Sequence, residues 1–214
     1  MKSSGERLVF WLIAFLLIAG SVFAIIYSII GSNNIPLPNE LTENDWIKGN
    51  PDSEIVLIEY SDFQCPACVA YYKIMKDIMG EFGEYIQFAY RHYPLKPIHP
   101  NATLAAQAAE AAGLQGKFWE MHDILFTYQS SWSSLSIDQA ESEFAKYATD
   151  IGLDSKQFLQ DLNSKKVEKL VDYEYKSAVE GGLTGTPTFF LNAEKIQNPQ
   201  NIQEFRTIIR EAIE

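Results

Sequence analysis

The 214-residue chain has only two cysteines and three histidines. A structural zinc site takes about four ligands, and His92 and His99 are too far apart for finger spacing, so a metal-held fold finds little support. Basic residues are also few: 17 Lys and Arg against 28 Asp and Glu, a net charge of −11. That balance gives no basic surface for a nucleic acid and is the ordinary charge of a soluble surface. No internal repeat or low-complexity tract occurs. With 47% hydrophobic and 21% charged residues, a packed core is expected and disorder is not.

Charge is absent altogether from residues 8–30, where Gly20, Ser21, Tyr27 and Ser28 alone interrupt an apolar run. At ~1.5 Å per residue the run spans ~34 Å as a helix, enough for a bilayer core of ~30 Å. Lys2 and Arg7 precede it, whereas Glu40, Glu43 and Asp45 follow. By the positive-inside rule this predicts one transmembrane helix with a cytoplasmic N-terminus and an extracytoplasmic remainder. A cleavable signal peptide ending near Val22-Phe23-Ala24 is the alternative, but Ile25, Ile26, Ile29 and Ile30 carry the run past that point. The expected organisation is an anchor over residues 1–30, a linker over 31–41, and one folded domain over 42–214.

Within the domain, residues 55–60 read as a buried strand, a helical pattern follows Pro66, and residues 85–90 read as a second strand. Such a strand–helix–strand unit favours a parallel pair. Residues from about 98 to 180 read as helical, with Gly113 as a helix stop and capping-box spacing at Ser136/Gln139 and Asp154/Gln157. A strand pattern returns at residues 188–191, and Asn198-Pro199 opens a last helix. The fold class is α/β, a sheet interrupted by a helical insertion.

Both cysteines fall in Cys65-Pro66-Ala67-Cys68, directly after the first strand. On a first helical turn, positions i and i+3 share a face, so the two sulfurs can close a small ring. Pro66 suits the first helical position, where its missing N–H is not needed. Cys65 then faces free backbone N–H groups that favour a thiolate, the nucleophile of disulfide exchange, and Cys68 is the resolving thiol. A structural disulfide and a metal pair are the other readings. The bridge closes almost no loop, so as a staple it stabilises little. Cys-x-x-Cys beside a βαβ pattern is the redox signature.

The stretch Glu59-Tyr60-Ser61-Asp62-Phe63-Gln64-Cys65-Pro66-Ala67-Cys68 resembles the active-site segment of bacterial DsbA-like proteins of the thioredoxin superfamily. Asp45-Trp46-Ile47-Lys48-Gly49-Asn50-Pro51, Gly116-Lys117-Phe118-Trp119-Glu120-Met121-His122-Asp123 and Gly185-Thr186-Pro187-Thr188-Phe189-Phe190 extend the similarity to the C-terminus. The resemblance implies a thioredoxin fold with an inserted helical domain. It also implies a cis Pro187 against the cysteine pair, with Thr186 offering backbone groups to substrate. Glu59 matches the family's acid beneath the active site, a proton relay to Cys68; the alternative from strand alternation is that it points to solvent. Ala67 departs from the His that strongly oxidising members carry, which limits the expected fall in the Cys65 pKa.

The expected activity is oxidation of cysteine pairs in exported proteins through a Cys65–Cys68 disulfide, reoxidised by a membrane thiol oxidase. A reductase or isomerase served by a membrane reductase is the runner-up, and a chaperone-like binding module the third reading. No cofactor or metal is expected beyond the redox-active disulfide. His92, His99 and His122 are expected as structural hydrogen-bonding residues.

Overall fold

The computed structural model describes residues 11, 13–21 and 38–214. The chain divides into two units, residues 1–35 and 36–214. Of the first, residues 11 and 13–21 are helical, with Trp11, Phe15, Leu16 and Leu17 exposed. Most of the expected anchor and most of the linker lie outside the described residues. No helix of the described residues is long and apolar enough to cross a membrane.

In the second unit, Val-, Ile- and Tyr-rich β2 (Val56–Ser61) is the centre of a five-stranded sheet. It runs parallel to β3 (Gln87–His92), as a strand–helix–strand unit requires, and antiparallel to β4 (Thr188–Leu191). Both β2 and β3 are displaced from the expected ranges, since the apolar pattern does not fix where pairing ends. Two short strands were not anticipated. β1 (Trp46–Gly49) pairs antiparallel with β3, and β5 (Glu194–Lys195) with β4, giving the order β1-β3-β2-β4-β5. Neither has the length or alternation that marks a strand in sequence.

Helix α1 (Pro66–Phe82) follows β2 and turns Cys68, Tyr72, Met75, Ile78 and Phe82 inward. With α8 (Ile202–Ile213) it covers one face of the sheet around Leu57, Phe88, Phe189, Phe205 and Ile209. The other face carries Ile58, Tyr60 and Phe190 against Ala178 of α7 (Lys165–Glu180). Because both faces are covered, no residue of β2 beyond Val56 reaches solvent. Helix α8 begins three residues later than the sequence suggested. Its N-cap is Asn201, whose side chain accepts from the N–H groups of Gln203 and Glu204.

Between β3 and β4 the chain forms α2 (Ala102–Gly113), α3 (Phe118–Thr127), α4 (Gln129–Trp132), α5 (Ile137–Asp150), α6 (Ser155–Leu162) and α7. Helix α2 is the axis of this group. Its alanines are buried on every side, which lets neighbouring helices approach closely. Ser136 and Gln139 form the reciprocal capping box at α5, whereas Asp154 caps α6 one way only. Gly113 ends α2, but the space is what demands glycine there: a Cβ would lie 2.3 Å from the Trp46 ring.

Arg91 of β3 ties the start of the domain to its body. Its guanidinium donates to the Asp45 carboxylate at 2.6 and 2.7 Å, to Tyr60 Oη at 2.7 Å, and to the carbonyls of Pro38 and Glu40. Asn39 donates to the Ala193 carbonyl at 2.8 Å. Residues 38–41, assigned to a linker from sequence, thus contact the domain.

Candidate active site

The turn from β2 into α1 delivers the cysteine pair. Cys65 is the N-cap residue of α1 in an extended conformation (φ −73°, ψ 124°), and Pro66 takes the first helical position. The backbone N–H groups of Ala67 and Cys68 have no intrahelical partner and turn toward Cys65 Sγ. Both cysteines are in the dithiol form. Cys65 is 7% exposed and sits beside exposed Pro66 and Ala67, whereas Cys68 is fully buried.

This placement splits the two thiols electrostatically. The hydrogen bond from the Cys68 thiol is the largest influence holding Cys65 down at about 5. Partial burial opposes it, and the Thr186 hydroxyl and the N–H groups of Cys68 and Ala67 assist. Burial pushes Cys68 well above the ordinary thiol value, reinforced by the charges of Cys65 and Glu59. Cys65 is therefore a thiolate at neutral pH and Cys68 a thiol. Ala67 contributes its backbone N–H alone, and that with its neighbours suffices.

The Thr186–Pro187 peptide is cis, and Cys65 Sγ lies 3.6 Å from the Thr186 carbonyl oxygen. Asn198 donates to the Pro187 carbonyl at 2.7 Å, fixing that loop against the start of β4.

Glu59 does not point to solvent. Alternation along β2 puts Leu57, Glu59 and Ser61 on the face that α1 covers, and Glu59 is 2% exposed. Burial raises its pKa to about 7, with the nearby Ser61 hydroxyl pulling the other way. No direct hydrogen bond satisfies Glu59 Oε1, Ser61 Oγ or Tyr90 Oη among the described residues, although all three lie in the region around Cys68. Cys65, Pro66, Ala67, Cys68, Thr186, Pro187 and Glu59 are thus all brought to one place.

Other residues support the turn and were not singled out from sequence. Asp62, buried, accepts from the N–H groups of Gln64 (2.7 Å) and Leu95 (2.8 Å) and bonds His99 Nδ1 at 2.7 Å. The Gln64 side chain bonds Asn101 N and the Ser133 carbonyl. Gln129 reaches across from α4 to donate to the carbonyls of Phe63 and Cys65. Asp62 and Gln64 stood within the quoted motif. Gln129, 64 residues from Cys65, gave no local signal.

Each histidine pairs with a carboxylate: His99 with Asp62, His122 with Asp123 at 2.8 Å, and His92 with Glu110 at 3.1 Å. His92, Glu110 and Glu174 bring their ligand atoms within 4.8 Å of one another. Burial and the Glu110 charge push Glu174 well above the carboxylate range.

The family described as thioredoxin matches residues 41–211. Among curated proteins, a Na(+)/H(+) antiporter NhaA 1 of Mycolicibacterium gilvum is 38% identical over 159 residues, 73% of this chain and 25% of that protein. An antiporter NhaA of Herminiimonas arsenicoxydans is 30% identical over 167 residues, 78% of this chain and again 25% of the relative. The chain thus spans about a quarter of the length of these curated relatives. Among solved structures, alpha-DsbA1 of Wolbachia pipientis superposes with a TM-score of 0.70 at 21% identity, covering 80% of this chain and 92% of that one. BdbD of Bacillus subtilis gives 0.67 at 20% identity, covering 80% and 94%. The fold shared with these DsbA-like structures is a thioredoxin-like mixed sheet with helices.

Proposed function

The chain belongs to the thioredoxin family, and from that premise we propose that it is a protein thiol–disulfide oxidoreductase oxidising cysteine pairs in exported proteins. The observation that carries the reading is the asymmetry of the pair: Cys65 a thiolate at the mouth of α1, Cys68 a buried thiol behind it.

A substrate thiolate attacks Sγ of Cys65 in the disulfide form. The Cys65–Cys68 bond breaks, Cys68 leaves with the electron pair, and Glu59, poised near pH 7, supplies its proton. The substrate's second thiolate then attacks its own sulfur in the mixed disulfide, and Cys65 leaves as the stabilised thiolate. The substrate has lost two electrons and the protein has gained them. Thr186 presents backbone groups beside Cys65 to the substrate segment. A membrane thiol oxidase reoxidises the pair. Residues 8–30 hold the domain near that partner on the extracytoplasmic side, raising their effective concentration. The ion transport in the names of the curated relatives describes whole proteins of which this chain spans about a quarter.

Linkage supports the oxidising direction. A thiol whose folded pKa falls from 9.0 to about 5 adds stability above its unfolded pKa and loses it as pH falls through 5. The reduced protein gains this term between those values, and the disulfide form has no thiolate to gain it. Redox equilibrium of the purified protein with glutathione is the test. The expected potential lies between ~−270 and ~−120 mV, the thioredoxin and DsbA values. The reduced form is expected to be more stable to denaturant at pH 7. An oxidised form that is the more stable one would contradict the oxidising direction.

A further inference from the structure

Helix α4 of the insertion lies against the turn that carries Cys65, and glutamine side chains clasp the two in both directions. Gln129, half-buried at the first position of α4, donates through Nε2 to the carbonyls of Phe63 at 2.7 Å and Cys65 at 3.1 Å. Gln64 reaches the other way, donating to the Ser133 carbonyl at 2.7 Å and accepting from the Asn101 N–H at 2.8 Å. Helix α4 is itself fixed from inside. Trp132 is fully buried, its Nε1 donates to the Leu125 carbonyl at 2.9 Å, and its ring meets Phe144 edge-on at 5.2 Å. The Gln129 amide thus reaches the turn from an anchored base.

The backbone of Cys65 is held at both ends. Its N–H donates to the Asp62 carbonyl at 3.0 Å. Its carbonyl accepts the first bond of α1, from the Val69 N–H, at a long 3.3 Å, so the Gln129 amide is the nearer of its two donors. Cys65 is the N-cap, outside the helical ladder, and the direction of its carbonyl sets its ψ. That angle in turn decides how Sγ stands to the N–H groups of Ala67 and Cys68 that favour its charge.

We propose that Gln129 is a positioning residue of the thiol chemistry: by holding the Phe63 and Cys65 carbonyls it keeps Sγ of Cys65 on the free N–H groups of α1, and through it the insertion sets the redox balance of the pair. The proposal rests on the thiol–disulfide function above. A thiolate gains from every N–H group aimed at it, whereas a disulfide sulfur carries no charge and gains little. Loosening the turn therefore costs the reduced protein more than the oxidised one. An amide suits this task because it donates without carrying a charge or titrating. A clasp that served the fold alone would stabilise both redox forms equally.

The test compares the full-length protein with Gln129→Met, which keeps about the same side-chain length and removes both donated bonds. Cys65 ionisation is read from the pH dependence of iodoacetamide labelling, and the stability of each redox form from urea unfolding. The third reading is the equilibrium at pH 7 in which protein disulfide and two glutathione thiols give protein dithiol and glutathione disulfide. The Cys65 pKa is expected to rise by about one unit and the equilibrium to move about tenfold toward the protein disulfide, the same free energy at a pH above both values. The reduced form is expected to lose more stability than the oxidised one. Equal losses in both forms, with Cys65 ionisation and the glutathione equilibrium unchanged, overturn the proposal.

A second measurement needs no variant. A contact that favours the reduced form must itself be firmer there, since the coupling is reciprocal. Solvent exchange of the Gln129 side-chain amide protons, followed by NMR in the wild-type protein, is therefore expected to be about tenfold slower in the reduced form than in the oxidised one, the same coupling seen from the other side. Equal exchange in both forms overturns the proposal. The wild-type glutathione equilibrium tests the proposed function, whereas the ratio of variant to wild type tests Gln129, so the two can fail separately.

Discussion

At Cys65 the whole chemistry depends on one sulfur being ionised while another, three residues on, is not. Iodoacetamide should therefore label Cys65 with a rate that titrates near pH 5, with Cys68 silent up to and beyond pH 9. Mass mapping of partly labelled protein checks this, and preferential labelling of Cys68 would reverse the assigned roles. Glu59 gives a second expectation. Its folded pKa of about 7 lies above the unfolded 4.5, so its contribution is fully present below 4.5 and is lost as pH rises through 7. Glu59→Gln removes that loss. From pH 4 to pH 8 it should gain about 3 kcal/mol relative to wild type, from the shift at ~1.4 kcal/mol per unit, while exchange slows. Urea unfolding at the two pH values measures the first and stopped-flow kinetics the second. The cysteine pair and its helix terminus were legible in sequence, because Pro66 and the spacing are local facts. Whether Glu59 is buried was not, since it depends on α1 and α8 covering a face from distant parts of the chain.

Among the elements, α1 and α2 meet the rest of the fold in different ways. The apolar spacing of α1 is visible in sequence because one stripe faces the sheet. Helix α2 is alanine-rich on all sides, which marks it as helical but does not say what surrounds it. Gly113 illustrates the limit: it reads as a helix stop, yet the Trp46 ring occupies the place of its Cβ. Trp46 also donates to Glu110 at 2.9 Å and stacks on Phe118 at 4.8 Å, so it cannot easily move aside. Gly113→Ala should destabilise by about 1–3 kcal/mol through overpacking, although alanine is the better helix former. Thermal unfolding decides it, and a neutral or stabilising change would mean that helix propensity governs the site. Strand β1, which brings Trp46 there, escaped the sequence because four residues carry too little periodicity.

For the molecule as a whole, the start of the domain is held by a buried charge. Arg91 and Asp45 are each 1% exposed in their side chains, and Arg91 also binds the carbonyls of Pro38 and Glu40. Asp45→Ala leaves a buried guanidinium without its anion and should cost about 3–5 kcal/mol in urea unfolding. A loss under 1 kcal/mol would show that the carbonyls and Tyr60 suffice. From sequence Asp45 served as evidence of topology and as part of the motif at the domain's entry; that it completes an internal ion pair required β3 to be in place. The central claim concerns exchange with protein thiols, and one experiment tests it most directly. Cys68→Ala and Cys65→Ala forms of the protein are each mixed with a disulfide-bearing exported protein and run on non-reducing gels. Cys68→Ala should accumulate a mixed disulfide through Cys65, because the resolving thiol is gone, and Cys65→Ala should accumulate little or none. Equal trapping by both, or trapping by Cys65→Ala alone, would contradict the account.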